Sequence, residues 1–401
     1  MKKILSIMLV MSLAITAFAC GGKKEAPSTS QAAAEAPAAE APAADKNAKF
    51  KIGGIGPTTG GAAVYGKSVE NAIQIAIDEI NAAGGMNGYQ VEFRFADDEH
   101  NAEKSVNAYN GLKDWGMQML IGTVTSAPCI AVADKTLADN MFQITPSGSA
   151  VDCVANPNVF RMCFSDPNQG IASAQYISEH NLATKVGIIY DSSDVYSAGI
   201  TEKFREEAPG KNFEIVAEEE FTADSKTDFT TQLTKIKAAG ADLVFLPFYY
   251  TEAALVLSQA KKMDYAPVFF GCDGMDGILT LENFDTSLAE GLMLLTPFSA
   301  DATDSLTQNF VTKFKSKFGD IPNQFAADGY DCAYALKLAV EKANLTPASS
   351  RSDICNALKS AITTITQRGL TGDSISWQAS GEPNKTPKAV IIKNGAYVLA
   401  N

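Results

Sequence analysis

The octapeptide GAAVYGKS, residues 61–68, fits the phosphate-loop pattern G-x-x-x-x-G-K-[ST] at every constrained position. Gly61 and Gly66 would let backbone approach a nucleotide, Lys67 would reach its phosphates, and the Ser68 hydroxyl would hold Mg2+. A working loop of this kind starts where a strand ends, so that its N–H groups curl round the phosphates at the helix start. Here the strand-like run FKIGGI ends near Gly56, and Pro57-Thr58-Thr59-Gly60 intervenes. The loop is displaced, and so short a pattern matches readily by accident. GIIYD (187–191) could supply a magnesium-binding Asp, but a strand ending in Asp is common in α/β proteins.

Other reactive residues assemble no better. His100 and His180 are the two histidines of the chain. Both sit in polar sequence and read as surface residues, and neither has metal-ligand or serine-elbow spacing. Asp97-Asp98 could coordinate a cation, yet the pair reads more simply as a solvated strand end. Nothing gathers a nucleophile, a base and an oxyanion site. The expectation is a protein that is no enzyme, with no catalytic residues, no metal and no cofactor.

The elements around these residues alternate. FKIGGI is followed by a segment with Val69, Ala72, Ile73, Ala76, Ile77 and Ile80 on one helical face, stopping at Gly84-Gly85. QVEFRFA, MQMLIG and MFQIT read as strands, with SVNAYNGLKDW and 127–139 as the helices between them. The pattern resumes with KVGIIYD, a helix after Ser197, NFEIVAEEEF, the helix TDFTTQLTKIKAAG, DLVFLPF, a helix through Lys262, and PVFFG. Such alternation gives βαβ units and parallel sheets covered on both faces. Two series, before and after about Asp166, predict an α/β fold of two Rossmann-like doubly wound lobes. Ligands of such sheets bind beyond the C-terminal strand ends, so a cleft between lobes would join both sets.

The ends and the composition fix the compartment. Lys2 and Lys3 precede an apolar run from Ile4 to Ala19, a secretory signal too short to favour a membrane span. Ala17-Phe18-Ala19-Cys20 resembles a bacterial lipobox, which implies lipidation of Cys20 and anchoring to a membrane. Residues 21–48, rich in Ala, Pro and Glu, read as a disordered tether. Export weakens the nucleotide reading further, since ATP is scarce outside the cytoplasm. A net charge of −13 without a basic cluster argues against nucleic acid. Beyond Cys20 the cysteines are Cys129, Cys153, Cys163, Cys272, Cys332 and Cys355. An even number in an exported chain allows disulfides, with Cys153–Cys163 favoured and Cys332–Cys355 second, against six buried free thiols.

IGGIGPTTGGAAVYGKSVENAIQIAIDEINAAGGMNGYQVEFRFADDEHN resembles the opening of the leucine/isoleucine/valine-type periplasmic binding proteins. IGTVTSAPCIAVAD, FQITPSGSA, VGIIYDSSDVYSAG and FVTKFKSKFGDIPNQFAADGYDCAYAL are similar to later segments of that family, in order. The resemblance spans nearly all of 50–401. It implies two lobes joined by a three-strand hinge, 49–168 with 298–373 and 169–297 with 374–401. It implies a monomer that closes on an amino acid and presents it to the transmembrane subunits of an ABC permease.

Ser126 and Ser149 lie where loops enter helices or turns, beside N–H groups that suit a carboxylate. By resemblance, Ser126 and Ser147-Gly148-Ser149 form the first-lobe half of the site. Asp273, just past a strand, occupies the family's position for an acid that pairs with the ligand ammonium, where Glu is commoner. Tyr249 can offer its ring face to the same cation, and Tyr196 matches an aromatic that closes over the ligand. Gly56, Pro57, Gly60, Tyr65 and Gly66 match the family's first loop, which makes Lys67 an exposed first-turn residue. Tyr65, Val124 and Phe325 then line the side-chain end and favour an apolar, branched-chain ligand. A different small solute (an amide, a urea-like compound or an aromatic acid), a sensor role, and remotely an NTPase, remain the alternatives.

Overall fold

The computed structural model describes Asp45 and residues 47–400. The proposed signal, Cys20 and most of the tether lie outside the described residues. The first sheet has five parallel strands: β1 (Phe50–Gly56), β2 (Val91–Asp97), β3 (Met119–Gly122), β4 (Phe142–Thr145) and β5 (Val159–Arg161). Their order is β2-β1-β3-β4-β5, so the winding direction reverses at β1. Loops beyond the C-terminal end of such a switch point diverge and leave a crevice.

Helices α1 (Ala63–Ala82), α2 (Ala102–Trp115) and α3 (Ser126–Ala138) connect these strands. The apolar stripe from Val69 to Ile80 on α1 is buried, as its spacing requires. Asn101 caps α2 by accepting from the Lys104 N–H, and Gly116 ends it at φ 96°.

The second sheet has seven strands. β6 (Lys185–Asp191), β7 (Glu214–Phe221), β8 (Leu243–Leu246), β9 (Val268–Gly271) and β10 (Met293–Thr296) are parallel. β11 (Lys388–Lys393) and β12 (Ala396–Leu399) add an antiparallel edge, in the order β12-β11-β10-β9-β8-β6-β7. This hairpin was not expected from sequence, nor were the short strands β5 and β10. α4 (Asp166–Glu179), α5 (Val195–Glu207), α6 (Thr230–Ala238) and α7 (Tyr250–Lys262) belong to this lobe. α5 starts two residues before Ser197 because the Asp194 carboxylate accepts from the Tyr196 N–H.

The chain passes between the lobes three times. It leaves β5 for α4, then leaves β10 for α8 (Ser305–Phe318), α9 (Gln324–Lys342) and α10 (Arg351–Ile362), and finally returns to β11. α9 packs along α1, and α10 against α9 and β4, so these helices cover the first sheet. Buried polar links tie the crossing segments together. Lys385 Nζ lies 2.7 Å from Asp328 Oδ1 on α9, both side chains almost fully buried. Asp331 accepts from the N–H groups of Leu370 and Thr371 at 2.9 Å each.

All six described cysteines are free and buried. The favoured Cys153–Cys163 bridge is therefore incorrect, and so is Cys332–Cys355. Cys153 sits in the 3-10 turn Val151–Val154, and the extended strand β5 separates it from Cys163. Its thiol lies instead beside that of Cys129 and 3.6 Å from the Ser126 carbonyl oxygen.

Candidate functional site

A cavity between the lobes is lined by Tyr65, Val124, Thr125, Ser126, Ser147, Tyr196, Tyr249, Asp273, Gly274 and Phe325. Every contributor comes from the C-terminal end of a strand or the first turn of a helix. Tyr65 is in the first turn of α1, Ser126 opens α3, and Ser147 follows β4. From the second lobe, Tyr196 opens α5, Tyr249 precedes α7, and Asp273-Gly274 follow β9. Phe325 opens the crossing helix α9.

Eight of the ten residues expected to line a ligand site thus surround one cavity. Gly148 and Ser149 do not; they form the wall behind it. Thr125 and Gly274 were missed, although each adjoins an expected residue. His100 was read as a surface residue, and this is corrected. It is half-buried, its Nδ1 lies 2.9 Å from Thr125 Oγ1, and its ring packs edge-on against Tyr249. Burial pushes its pKa down to about 4. Asp98 is likewise buried rather than solvated, and burial raises its pKa to about 7. His180 is exposed and stacks on Tyr176.

The polar groups divide by polarity. Ser126 Oγ accepts from the N–H groups of Ser149 and Ala150, at 3.2 Å each. Its own O–H remains available to donate. The Ser147 hydroxyl donates to the Val124 carbonyl at 2.5 Å, so Ser147 offers lone pairs to the cavity. Across from these, Asp273 Oδ1 accepts from Tyr196 Oη at 2.6 Å, and the Asp273 N–H donates to Gln169 Oε1. Burial raises the Asp273 pKa to about 6, while the Tyr196 hydrogen bond to its carboxylate pulls the other way. At neutral pH it is an anion held in an aromatic setting. Tyr196 and Tyr249 stack with centroids 5.1 Å apart.

The apolar end is built by Tyr65 and Phe325, with ring centroids 4.2 Å apart, and by Val124. Tyr65 also crosses between the lobes, its Oη donating to the Gly274 carbonyl at 2.5 Å. Thr251 Oγ1 donates to the Gly61 carbonyl, a second bridge over the same mouth. The cavity's free volume is about 10 Å3, near what one water needs.

The constrained residues of the phosphate-loop pattern, Gly61, Gly66, Lys67 and Ser68, take no part in the lining. α1 already begins at Ala63, so Lys67 and Ser68 lie within a helix instead of on a loop, and Lys67 is exposed.

Comparison with known proteins agrees with this architecture. A family model described as periplasmic binding protein matches residues 49–395. The Leu/Ile/Val-binding protein homolog 3 of Brucella melitensis is 28% identical over 307 residues, covering 76% of this chain and 82% of the relative. The leucine-, isoleucine-, valine-, threonine-, and alanine-binding protein of Pseudomonas aeruginosa is 27% identical over 296 residues, 73% of this chain and 78% of that protein. Among solved structures, the branched-chain amino acid transporter substrate-binding protein LivJ of Streptococcus pneumoniae, in complex with isoleucine, superimposes with a TM-score of 0.79. It is 28% identical and the match covers 87% of this chain and 97% of that one. With nearly the whole described chain matched, two doubly wound lobes and an interlobe cavity, this protein belongs to the periplasmic binding protein family.

Proposed function

We propose that this protein captures an amino acid with an apolar, branched side chain between its lobes and delivers it to the permease of an ABC importer. The observation that carries the reading is the polarity of the cavity. A hydroxyl donor at a helix start (Ser126) faces a buried acid (Asp273), with Tyr65, Val124 and Phe325 at one end. A zwitterion needs a donor for its carboxylate and an anion for its ammonium, and an aliphatic side chain needs an apolar wall. The names of the relatives point the same way.

The reading extends to the whole chain. Residues 49–168 with 298–373 form one lobe and 169–297 with 374–401 the other, and hinge closure round the solute is the function. No bond is made or broken. The protein works as a monomer, tethered above a membrane through lipidated Cys20.

The test is ligand-stripped protein screened by melting shift and then calorimetry against the amino acids, with ATP and short amides included. A ligand at about 100 times its Kd adds roughly 2.7 kcal/mol and shifts the melt by several degrees. Leu, Ile or Val is expected to give that shift. A shift from an amide alone would keep the fold and overturn the cargo. In the Asp273→Ala variant, affinity is expected to fall by about 2–5 kcal/mol; undiminished binding would exclude Asp273 as the ammonium partner. Lys67→Ala is expected to leave amino-acid affinity unchanged, and loss of a nucleotide-induced shift in that variant would revive the NTPase reading.

A further inference from the structure

Arg161 ends β5 with its side chain completely buried, behind the ligand wall rather than in it. Its Nη1 donates to the carbonyls of Gly148, at 3.1 Å, and Ser149; its Nη2 donates to those of Ala150, at 3.0 Å, and Val151, at 3.4 Å. Four successive carbonyls therefore converge on one guanidinium. Glu382 Oε1 approaches Nη2 at 3.2 Å. The backbone of Arg161 is held by the crossing segment too: its N–H donates to the Gly381 carbonyl, and its carbonyl accepts from Trp377 Nε1.

A trans peptide is planar, with its C=O and N–H pointing opposite ways. Drawing the Gly148 and Ser149 carbonyls towards Arg161 therefore aims the next two N–H groups, of Ser149 and Ala150, away from it. Both of those groups donate to Ser126 Oγ. A serine hydroxyl has two lone pairs and one proton. With both lone pairs occupied, Ser126 has only its proton left to offer the cavity it lines.

We infer that Arg161 is a positioning residue for the ligand's carboxylate: by gathering the 148–151 carbonyls it turns two N–H groups onto Ser126 and makes that hydroxyl an obligate donor. This rests on the amino-acid reading above. A carboxylate only accepts hydrogen bonds and suits that hydroxyl, whereas an ammonium only donates and finds no free lone pair on it. A carboxamide has the shape of a carboxylate and keeps an acceptor oxygen but lacks the charge, so it separates the strong bond to a charged acceptor from shape and a neutral bond. Lysine keeps the charge of arginine but has no planar fork to span four carbonyls.

The experiment is calorimetric titration of a bound amino acid and its carboxamide into wild type, Arg161→Lys and Ser126→Ala, with melting curves recorded in parallel. Wild type is expected to prefer the carboxylate. Arg161→Lys is expected to lose about tenfold or more in carboxylate affinity, the worth of a hydrogen bond to a charged group, with a much smaller change for the carboxamide. An equal loss for both ligands would reduce Arg161 to a structural prop and overturn the inference, as would wild-type affinities. Should Arg161→Lys not fold, Ser126→Ala decides: a selective loss of the carboxylate supports the donor role, and an equal loss for both ligands overturns it. Failure of wild type to bind any amino acid would instead sink the underlying reading, and is told apart by the first titration.

Discussion

Asp273 makes the candidate site sensitive to pH. Burial raises its pKa to about 6, against about 3.9 in an unfolded chain. Between those values the folded protein holds a proton that the unfolded chain has lost, so folding takes up a proton. Its destabilising effect is absent below about pH 4, grows through the window, and is complete above about pH 6. It amounts to about 3 kcal/mol for the ligand-free protein. Asp194 and Asp276, each raised to about 6 by burial, push in the same direction. An ammonium ligand has the opposite dependence, since it needs the carboxylate. Affinity is expected to be about tenfold tighter at pH 7 than at pH 5, with proton release on binding, measured by calorimetry in buffers of different ionisation enthalpy. A flat profile would contradict pairing of the ligand with Asp273.

At the scale of elements, the first loop shows why glycine sits where a phosphate loop would have one. A Cβ on Gly66 would lie 1.9 Å from the Pro57 carbonyl oxygen and 2.4 Å from its carbon. The start of α1 rests directly on the chain leaving β1, and this contact turns Tyr65 into the cavity. Gly66→Ala is expected to cost about 1–3 kcal/mol by forcing backbone apart, read by chemical denaturation. It should weaken ligand affinity as well, because Tyr65 moves with the helix; unchanged stability would show that the loop yields freely. The α1 stripe was legible in the sequence because burial of one face imposes the helical period. Strand β5 was not, its three residues being too short to show a period, and it carries Arg161.

Over the whole molecule, the buried Lys385–Asp328 pair fastens the last crossing segment to α9. Removing one member leaves an uncompensated charge in the interior. Lys385→Met is expected to lower stability by about 3–5 kcal/mol, measured by denaturant unfolding. The double change Lys385→Met with Asp328→Asn should recover much of that loss. If the single variant were as stable as the parent, the pair would have no role in holding the hinge.

The alternation of strands and helices from Phe50 to Gly271 could be read from the sequence alone, and the positions of Tyr65, Tyr196 and Asp273 from its resemblance to a family. The elements and the helix start at Ser126 follow local rules: a hydrophobic period, a cap, a strand end. The tertiary structure decided which of these residues meet. Tyr65 and Gly274 are far apart in the chain, yet their hydrogen bond spans the cleft. The thiol beside Cys153 is that of Cys129 and not the nearer Cys163, because an extended strand separates what the sequence places close together. Arg161 carries no local sign of its role. Four carbonyls converge on it only when β5, the 148–151 turn and the last crossing segment pack into one interior, where buried donors and acceptors must find partners within the protein.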